Sequence, residues 1–141
     1  LDNPRKKMSK SAENPANYIA LLDSAKEIER KIKIAVTDSG KEIKYDPERK
    51  TAISNLIMIY HLCSGMPIKE IEKRYVGKGY AEFKKDLARA LIEFLTPIQE
   101  RYQALTKKPE EILSILQEGK RQARIISSQT LAEVKQKIGF I

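Results

Sequence analysis

Tyr80-Ala81-Glu82-Phe83-Lys84-Lys85-Asp86-Leu87-Ala88-Arg89-Ala90-Leu91-Ile92-Glu93-Phe94-Leu95-Thr96-Pro97-Ile98-Gln99-Glu100-Arg101-Tyr102 is the stretch that decides the fold. Phe83, Leu87, Leu91, Phe94, Leu95, Ile98 and Tyr102 recur every three or four residues. That spacing gathers them on one stripe of a helix, whereas a strand would alternate. The pattern predicts one long helix opening at Tyr80, with its apolar stripe buried. Pro97 lacks a backbone donor and crowds the preceding turn, so a kink is expected there. Just upstream, Gly77-Lys78-Gly79 is a turn.

Moving toward the N-terminus, Pro67 suits the first position of a shorter helix reaching about Tyr75. Ala52 to Leu62 carries Ile53, Leu56, Ile57, Ile59 and Tyr60, which predicts a mostly buried helix. Ser64-Gly65 should end it, because glycine tolerates the left-handed conformation of a helix stop. Residues 37–51 read as irregular, with turn signals at Asp38-Ser39-Gly40 and Asp46-Pro47. Ser24 and Glu27 form a capping-box pattern that opens a helix over 24–36. Ala25, Ile28, Ile32 and Ala35 would point inward, and Lys26, Glu29, Arg30 and Lys33 outward. Glu27 and Lys31 are four apart, so a weak pair of roughly 0.3 kcal/mol is expected. Tyr18 to Leu22 reads as a short extended segment, preceded by a flexible loop over 1–17. Toward the C-terminus, Pro109-Glu110-Glu111 places acids at the positive end of a last helix. It should run through Ile112, Leu116, Ala123, Ile126 and Leu131 to about Ile138, with Gly119 as a weak point. The fold class expected is all-α: a helical bundle of four or five helices with almost no strand.

Composition bounds the function. A chain of 141 residues suits a single core, and 41% hydrophobic with 33% charged residues describes a folding chain rather than a disordered one. No apolar run approaches 18 residues, which predicts no transmembrane helix. Nor does the opening segment hold the apolar stretch of a signal peptide. Cys63 is the single cysteine, so no internal disulfide can form, in keeping with a reducing cytoplasm. With His61 as the single histidine, no zinc site and no other metal site is expected, and Cys63 reads as a small buried hydrophobe. The net charge of +8 favours polyanions. Yet 27 basic and 19 acidic residues are intermixed along the chain, so any nucleic-acid site must come from clustering in the fold.

The opening segment, Pro4-Arg5-Lys6-Lys7-Met8-Ser9-Lys10-Ser11, resembles the ATP-phosphate loop of class I aminoacyl-tRNA synthetases. The likeness continues through Ala35-Val36-Thr37-Asp38-Ser39, Tyr45-Asp46-Pro47 and Ile53-Ser54-Asn55-Leu56. It goes on through Tyr75-Val76-Gly77-Lys78-Gly79-Tyr80 with Phe83-Lys84, and Pro97-Ile98-Gln99-Glu100-Arg101-Tyr102. Over nearly all its length the chain is similar to the tryptophanyl-tRNA synthetases. The tyrosine enzymes are alike at fold level, but usually carry a different lysine loop and a different C-terminal module.

This resemblance implies that residues 1–17 are the ATP loop of a catalytic domain and that 18–141 form an anticodon-binding domain. It implies an enzyme, tryptophan–tRNA ligase, working as a cytoplasmic homodimer without a membrane. Its substrates would be ATP with Mg2+, L-tryptophan bound by an N-terminal domain, and tRNA(Trp). Lys7 and Lys10 would be catalytic, and Lys7, Met8, Ser9, Lys10 and Ser11 would touch ATP. Activation expels pyrophosphate, and two flexible ammonium groups can follow the growing negative charge. The family's loop follows a large nucleotide-binding domain, so the chain is expected to be a C-terminal piece. It holds no His-x-Gly-His string, and alone it is expected to be inactive.

For tRNA the resemblance implies a CCA anticodon. Cytosine offers an N4 donor that a carboxylate can accept, and Asp38 is the candidate. Lys78, Lys84, Lys85 and Arg89 are candidates for phosphates, and Tyr80 for stacking on an unpaired base. Asp38 can equally cap a turn, and the basic residues can equally be solvated surface. A non-catalytic RNA- or protein-binding helical module is the reading from another class.

Overall fold

The computed structural model describes residues 1–9, 11 and 13–140; the expectations placed on Lys10 lie outside them. The chain divides into two compact units, Leu1–Gln99 and Glu100–Ile141. The division falls inside the long helix. Every regular element among the described residues is helical. A 3-10 turn at Pro15–Asn17 precedes α1 (Ala25–Ile34), α2 (Thr51–Ser64), α3 (Ile68–Arg74), α4 (Tyr80–Thr106) and α5 (Pro109–Lys137). The all-α reading therefore holds. The Tyr18–Leu22 run forms no strand: Asp23 N donates to Ala20 O, closing a turn, and Leu21 and Leu22 are exposed.

Local chemistry sets most boundaries. Ser24 Oγ accepts from Glu27 N while Glu27 Oε2 accepts from Ser24 N, the reciprocal pair that satisfies two orphan donors at the start of α1. Gly65 closes α2 at φ 71, and Gly77 takes φ 75 in the turn before α4; a side chain would be strained at either. Glu27 is committed to its cap, so the expected pair with Lys31 does not form. Lys31 instead reaches Asp23 at 2.6 Å, with side chains only 5% and 11% exposed. Its ammonium also lies 4.9 Å from the centre of the Tyr18 ring. Asp23 Oδ2 accepts from Ala20 N as well, which leaves the buried charge well partnered.

The core of the first unit is built where α1 to α4 converge. Ile28 and Ile32 of α1, Ile53, Leu56 and Ile57 of α2, Ile71 of α3, and Phe83 and Leu87 of α4 are essentially fully buried. Ala25, predicted to point inward, is exposed, and Lys31 is buried in its place on that face. Tyr60, Tyr75 and Phe83 form an aromatic triangle, with ring centres 5.2–6.3 Å apart and two of the three pairs edge-to-face. The Tyr75 hydroxyl donates to Asp86 Oδ2 at 2.7 Å and lies 3.3 Å from the Tyr60 hydroxyl. Burial pushes its proton affinity far above the ordinary phenol value. Cys63 is half-buried against this core, and burial raises its thiol.

α4 corrects one expectation. Its stripe is buried from Phe83 to Leu95, but Phe94, Ile98 and Tyr102 are exposed. Pro97 lies inside the helix, which continues to Thr106. A helix of 27 residues is about 40 Å long. In the second unit, α5 has no buried residue, and Leu113, Ile115, Leu116 and Ile126 are exposed. Pro109 starts it, Glu110 and Glu111 sit in the first turn, and Lys135 and Lys137 in the last, all matched to the helix dipole. Glu118 grips Arg121 by two bonds of 2.8 and 2.9 Å.

Phe83→Ala is expected to cost about 3–5 kcal/mol of unfolding free energy. Tyr75→Phe, which keeps the ring but drops the bond to Asp86, should cost about 1–3 kcal/mol. Urea titration followed by circular dichroism would check both. An unchanged midpoint for Tyr75→Phe would show that the buried hydroxyl is not a tie.

Candidate phosphate loop and nucleic-acid interface

The Lys7–Ser11 loop is pinned at its base. Leu1 is buried, its carbonyl accepts from Val36 N at 3.0 Å, and its nitrogen donates to Asn17 O at 2.6 Å. Asn14 Nδ2 reaches Asp2 Oδ2 at 3.4 Å, while Asn14 Oδ1 accepts from Ala16 N and starts the 3-10 turn. At the other shoulder Asn3 folds a turn, accepting from Arg5 N on its side chain and from Lys6 N on its carbonyl. Closed ends with a polar tip are the anatomy of a compact surface loop.

A hollow of about 550 Å³ lies against this loop, lined among others by Lys6, Lys7, Met8, Ser9 and Asn17. Arg5, Lys6 and Lys7 are exposed and make no ion pair among the described residues. Ser9 Oγ and Ser11 Oγ lie 3.1 Å apart, so one hydroxyl donates to the other and the pair can turn outward together. Asn17 Oδ1 is buried with no donor among the described residues. The hollow is also lined by Asp2 and Glu13, and the orphaned acceptor beside it leaves room for a donor brought by a ligand or a water. Sequence reasoning passed over Asn17, because nothing in its neighbours marks it. No three His, Cys, Asp or Glu side chains cluster as metal ligands among the described residues.

The residues proposed for tRNA are not all brought together. Asp38 sits at the start of α2, where its carboxylate accepts from Ala52 N at 3.3 Å and Ile53 N at 2.9 Å. It is a helix cap supplied from 14 and 15 residues away, and it does the work that Lys50, the adjacent residue, does not. Lys84 donates to Lys33 O at 3.2 Å and Ala35 O at 2.6 Å, so its cation satisfies the carbonyl end of α1. Burial lowers the proton affinity of its ammonium below the ordinary lysine value. Lys78 pairs with Glu82 at 2.7 Å, and Arg89 lies 3.8 Å from Asp86. Lys85 is exposed without an ion pair among the described residues; it lines a hollow of about 430 Å³ together with Lys33, Lys84 and Tyr80. The Tyr80 hydroxyl donates to Glu42 O at 3.4 Å, which leaves one side of the half-buried ring toward that hollow.

Comparison with known proteins places this geometry. The family described as tRNA synthetases class I (W and Y) matches residues 1–96. The chain belongs to that family. Among relatives of these class I synthetases, the tryptophan–tRNA ligase of Halalkalibacterium halodurans is 49% identical over 140 residues, covering 99% of this chain. Tryptophan–tRNA ligase 2 of Streptomyces avermitilis is 44% identical over the whole chain. The crystal structure of tryptophanyl-tRNA synthetase from Mycoplasma pneumoniae superposes with a TM-score of 0.85 at 28% identity, over 99% of this chain. The chain spans 42% of the length of each of these three proteins. The resemblance to the tryptophan branch of the family thus runs over the full chain, loop and helices alike.

Asp38→Ala should lower stability by about 1–2 kcal/mol through loss of the α2 cap, while Asp38→Asn, which retains one acceptor, should lose less. Thermal unfolding of the three chains would check this order. Equal stability for all three would contradict the capping role.

Proposed function

We propose that this chain supplies the ATP-phosphate loop and the anticodon-binding helices of a tryptophan–tRNA ligase. The observation that carries the reading is the whole-chain likeness to tryptophan–tRNA ligases, which spans both the Lys7–Ser11 loop and the helical body. In the proposed reaction the carboxylate of L-tryptophan attacks the α-phosphate of ATP, and pyrophosphate leaves. Lys7 and Lys10 neutralise the charge that builds on the leaving group, with Lys10 as the main transition-state residue. Ser9 and Ser11 donate hydroxyls to phosphate oxygens, and Met8 meets the adenine side through its backbone. Tryptophan is held by a nucleotide-binding domain of the kind found in the family, and the enzyme acts as a homodimer in the cytoplasm. No helix among the described residues is long and apolar enough to cross a membrane.

For tRNA(Trp), Lys85, Arg89 and Lys78 meet backbone phosphates, and Tyr80 offers a face to an unpaired base. Lys84 and Asp38 contribute mainly by position: each is bound to a helix end, and Lys84 also lines the hollow of Lys85 and Tyr80.

The test is binding of the chain to tRNA(Trp) and to the same tRNA with an altered anticodon, at two salt concentrations. Preference for the CCA anticodon and affinity falling steeply with salt are expected. Affinity indifferent to both would sink the reading in favour of a protein-interaction module. Preference for a tyrosine anticodon would move it to the sister enzyme. The 141-residue chain alone is expected to support no tryptophan-dependent pyrophosphate exchange, and measurable exchange would overturn the division of labour proposed for the loop.

A further inference from the structure

A hollow of about 700 Å³ lies between the 41–44 segment, α3 and the Gly77–Gly79 turn of the first unit. Of its residues, sequence reasoning named the Tyr75–Gly79 run and passed over the other four lysines. Five lysines line it, Lys41, Lys44, Lys69, Lys73 and Lys78, against two acids, Glu42 and Glu72. Both acids are engaged elsewhere. Glu72 Oε1 accepts from Tyr45 N at 2.8 Å, and Glu42 Oε2 holds Lys50 at 2.8 Å. Lys41, Lys44, Lys69 and Lys73 are exposed, and none has an acidic partner within ion-pair distance among the described residues. Lys41, Lys69 and Lys73 therefore line one concavity without an acidic partner, beside Lys44, whose charge Glu42 also feels.

The wall that carries them is fixed. Ile43 is buried in the core, Tyr45 N is tied to α3 through Glu72, and Lys50 Nζ also donates to Glu42 O at 3.2 Å. The stems of Lys44, Lys69 and Lys73 thus spring from a frame already ordered before any ligand arrives, which lowers the ordering cost of binding. Within the first unit Tyr80 joins this hollow to its neighbour: its hydroxyl bonds the carbonyl of Glu42, and its ring lines the hollow of Lys85.

We propose that this lysine hollow binds consecutive phosphates of an RNA backbone, as a second contact surface for the tRNA that shares Lys78 with the Lys85–Arg89 face. The inference rests on the tRNA-binding reading above and deepens it. The volume of about 700 Å³ exceeds what one phosphate fills. All the cations lining the hollow are lysines: compact point charges serve phosphates without the planar fork that reads base edges. The hollow therefore supplies affinity and register, and the choice of anticodon is made elsewhere.

The experiment compares the native chain with Lys41→Gln/Lys44→Gln/Lys69→Gln/Lys73→Gln, all exposed positions, and with a control that removes equal charge at Lys107, Lys120, Lys135 and Lys137. Circular dichroism verifies folding, and an RNA hairpin carrying the CCA anticodon loop is titrated over a salt series. The hollow variant should bind at least roughly tenfold more weakly at low salt, its salt slope should be shallower by about 2–3, and its anticodon preference should be retained. Native binding with an unchanged slope in the hollow variant overturns this proposal and leaves the tRNA reading standing. An equal loss in the control also overturns it, since net charge then suffices. Absence of RNA binding by the native chain overturns both. Binding of a poly-glutamate peptide as tight as that of the hairpin, and equally sensitive to the hollow variant, would reassign the hollow to acidic protein partners.

Discussion

The Tyr75 hydroxyl bond to Asp86 is the constraint on which the first unit depends. Tyr75 ends the short α3, and its ring stands edge-on to Phe83 of α4 and beside Tyr60 of α2. A phenol this deep must place its proton, and Asp86 on α4 takes it. One side chain thus fixes three helices in rotation as well as in distance. Asp86 in turn lies 3.8 Å from both Arg74 and Arg89, so the same buried bond sets the anchor point of two surface cations. Packing and surface charge are coupled through one carboxylate.

The two regions that meet phosphates in the proposed function are built on opposite principles. The opening loop carries Lys7 exposed on a tip whose base is tied by Leu1, Asp2, Asn14 and Asn17. A tip of that kind can follow a charge that moves during reaction. The lysine hollow instead carries its charges on a wall fastened to the core at Ile43 and Tyr45. A fixed array suits a ligand whose phosphates are evenly spaced and do not react. Between the two, the 18–24 segment is clamped twice, by the buried Lys31–Asp23 pair and by Gln99, whose amide donates to Leu21 O and Asp23 O.

Sequence reasoning recovered what is local. Helix starts and stops at Ser24, Gly65, Pro67 and Pro109 follow from rules acting within four residues, and the loop motif is a contiguous string. What it missed is long-range. Lys31 was given a partner four residues away on its own helix, yet it bonds Asp23 eight residues off. Lys84 was read as a phosphate contact, yet it closes the end of α1 from 49 and 51 residues away. The lysine hollow draws on positions from 41 to 78, and no window along the chain shows them as a group. The α4 stripe taught a different lesson: periodicity names the face of a helix that can be buried, not whether anything covers it. Phe94, Ile98 and Tyr102 keep the period and stay exposed.

The cap that Asp38 provides has a consequence for how this chain tolerates changes in length. Because Asp38 must reach the first turn of α2, residues 39–51 form a ring of set circumference. Within it, Ile43, Tyr45 and Asp46 are each fastened to the body, the last through Ser54 Oγ. Extra residues entering at 39–41 only lengthen a free arc, where doubling a loop costs about 0.6 kcal/mol. A single residue entering between 43 and 46 would throw three anchors out of step at once. Insertions among relatives should therefore gather at Ser39-Gly40-Lys41 and spare the four residues that follow Glu42.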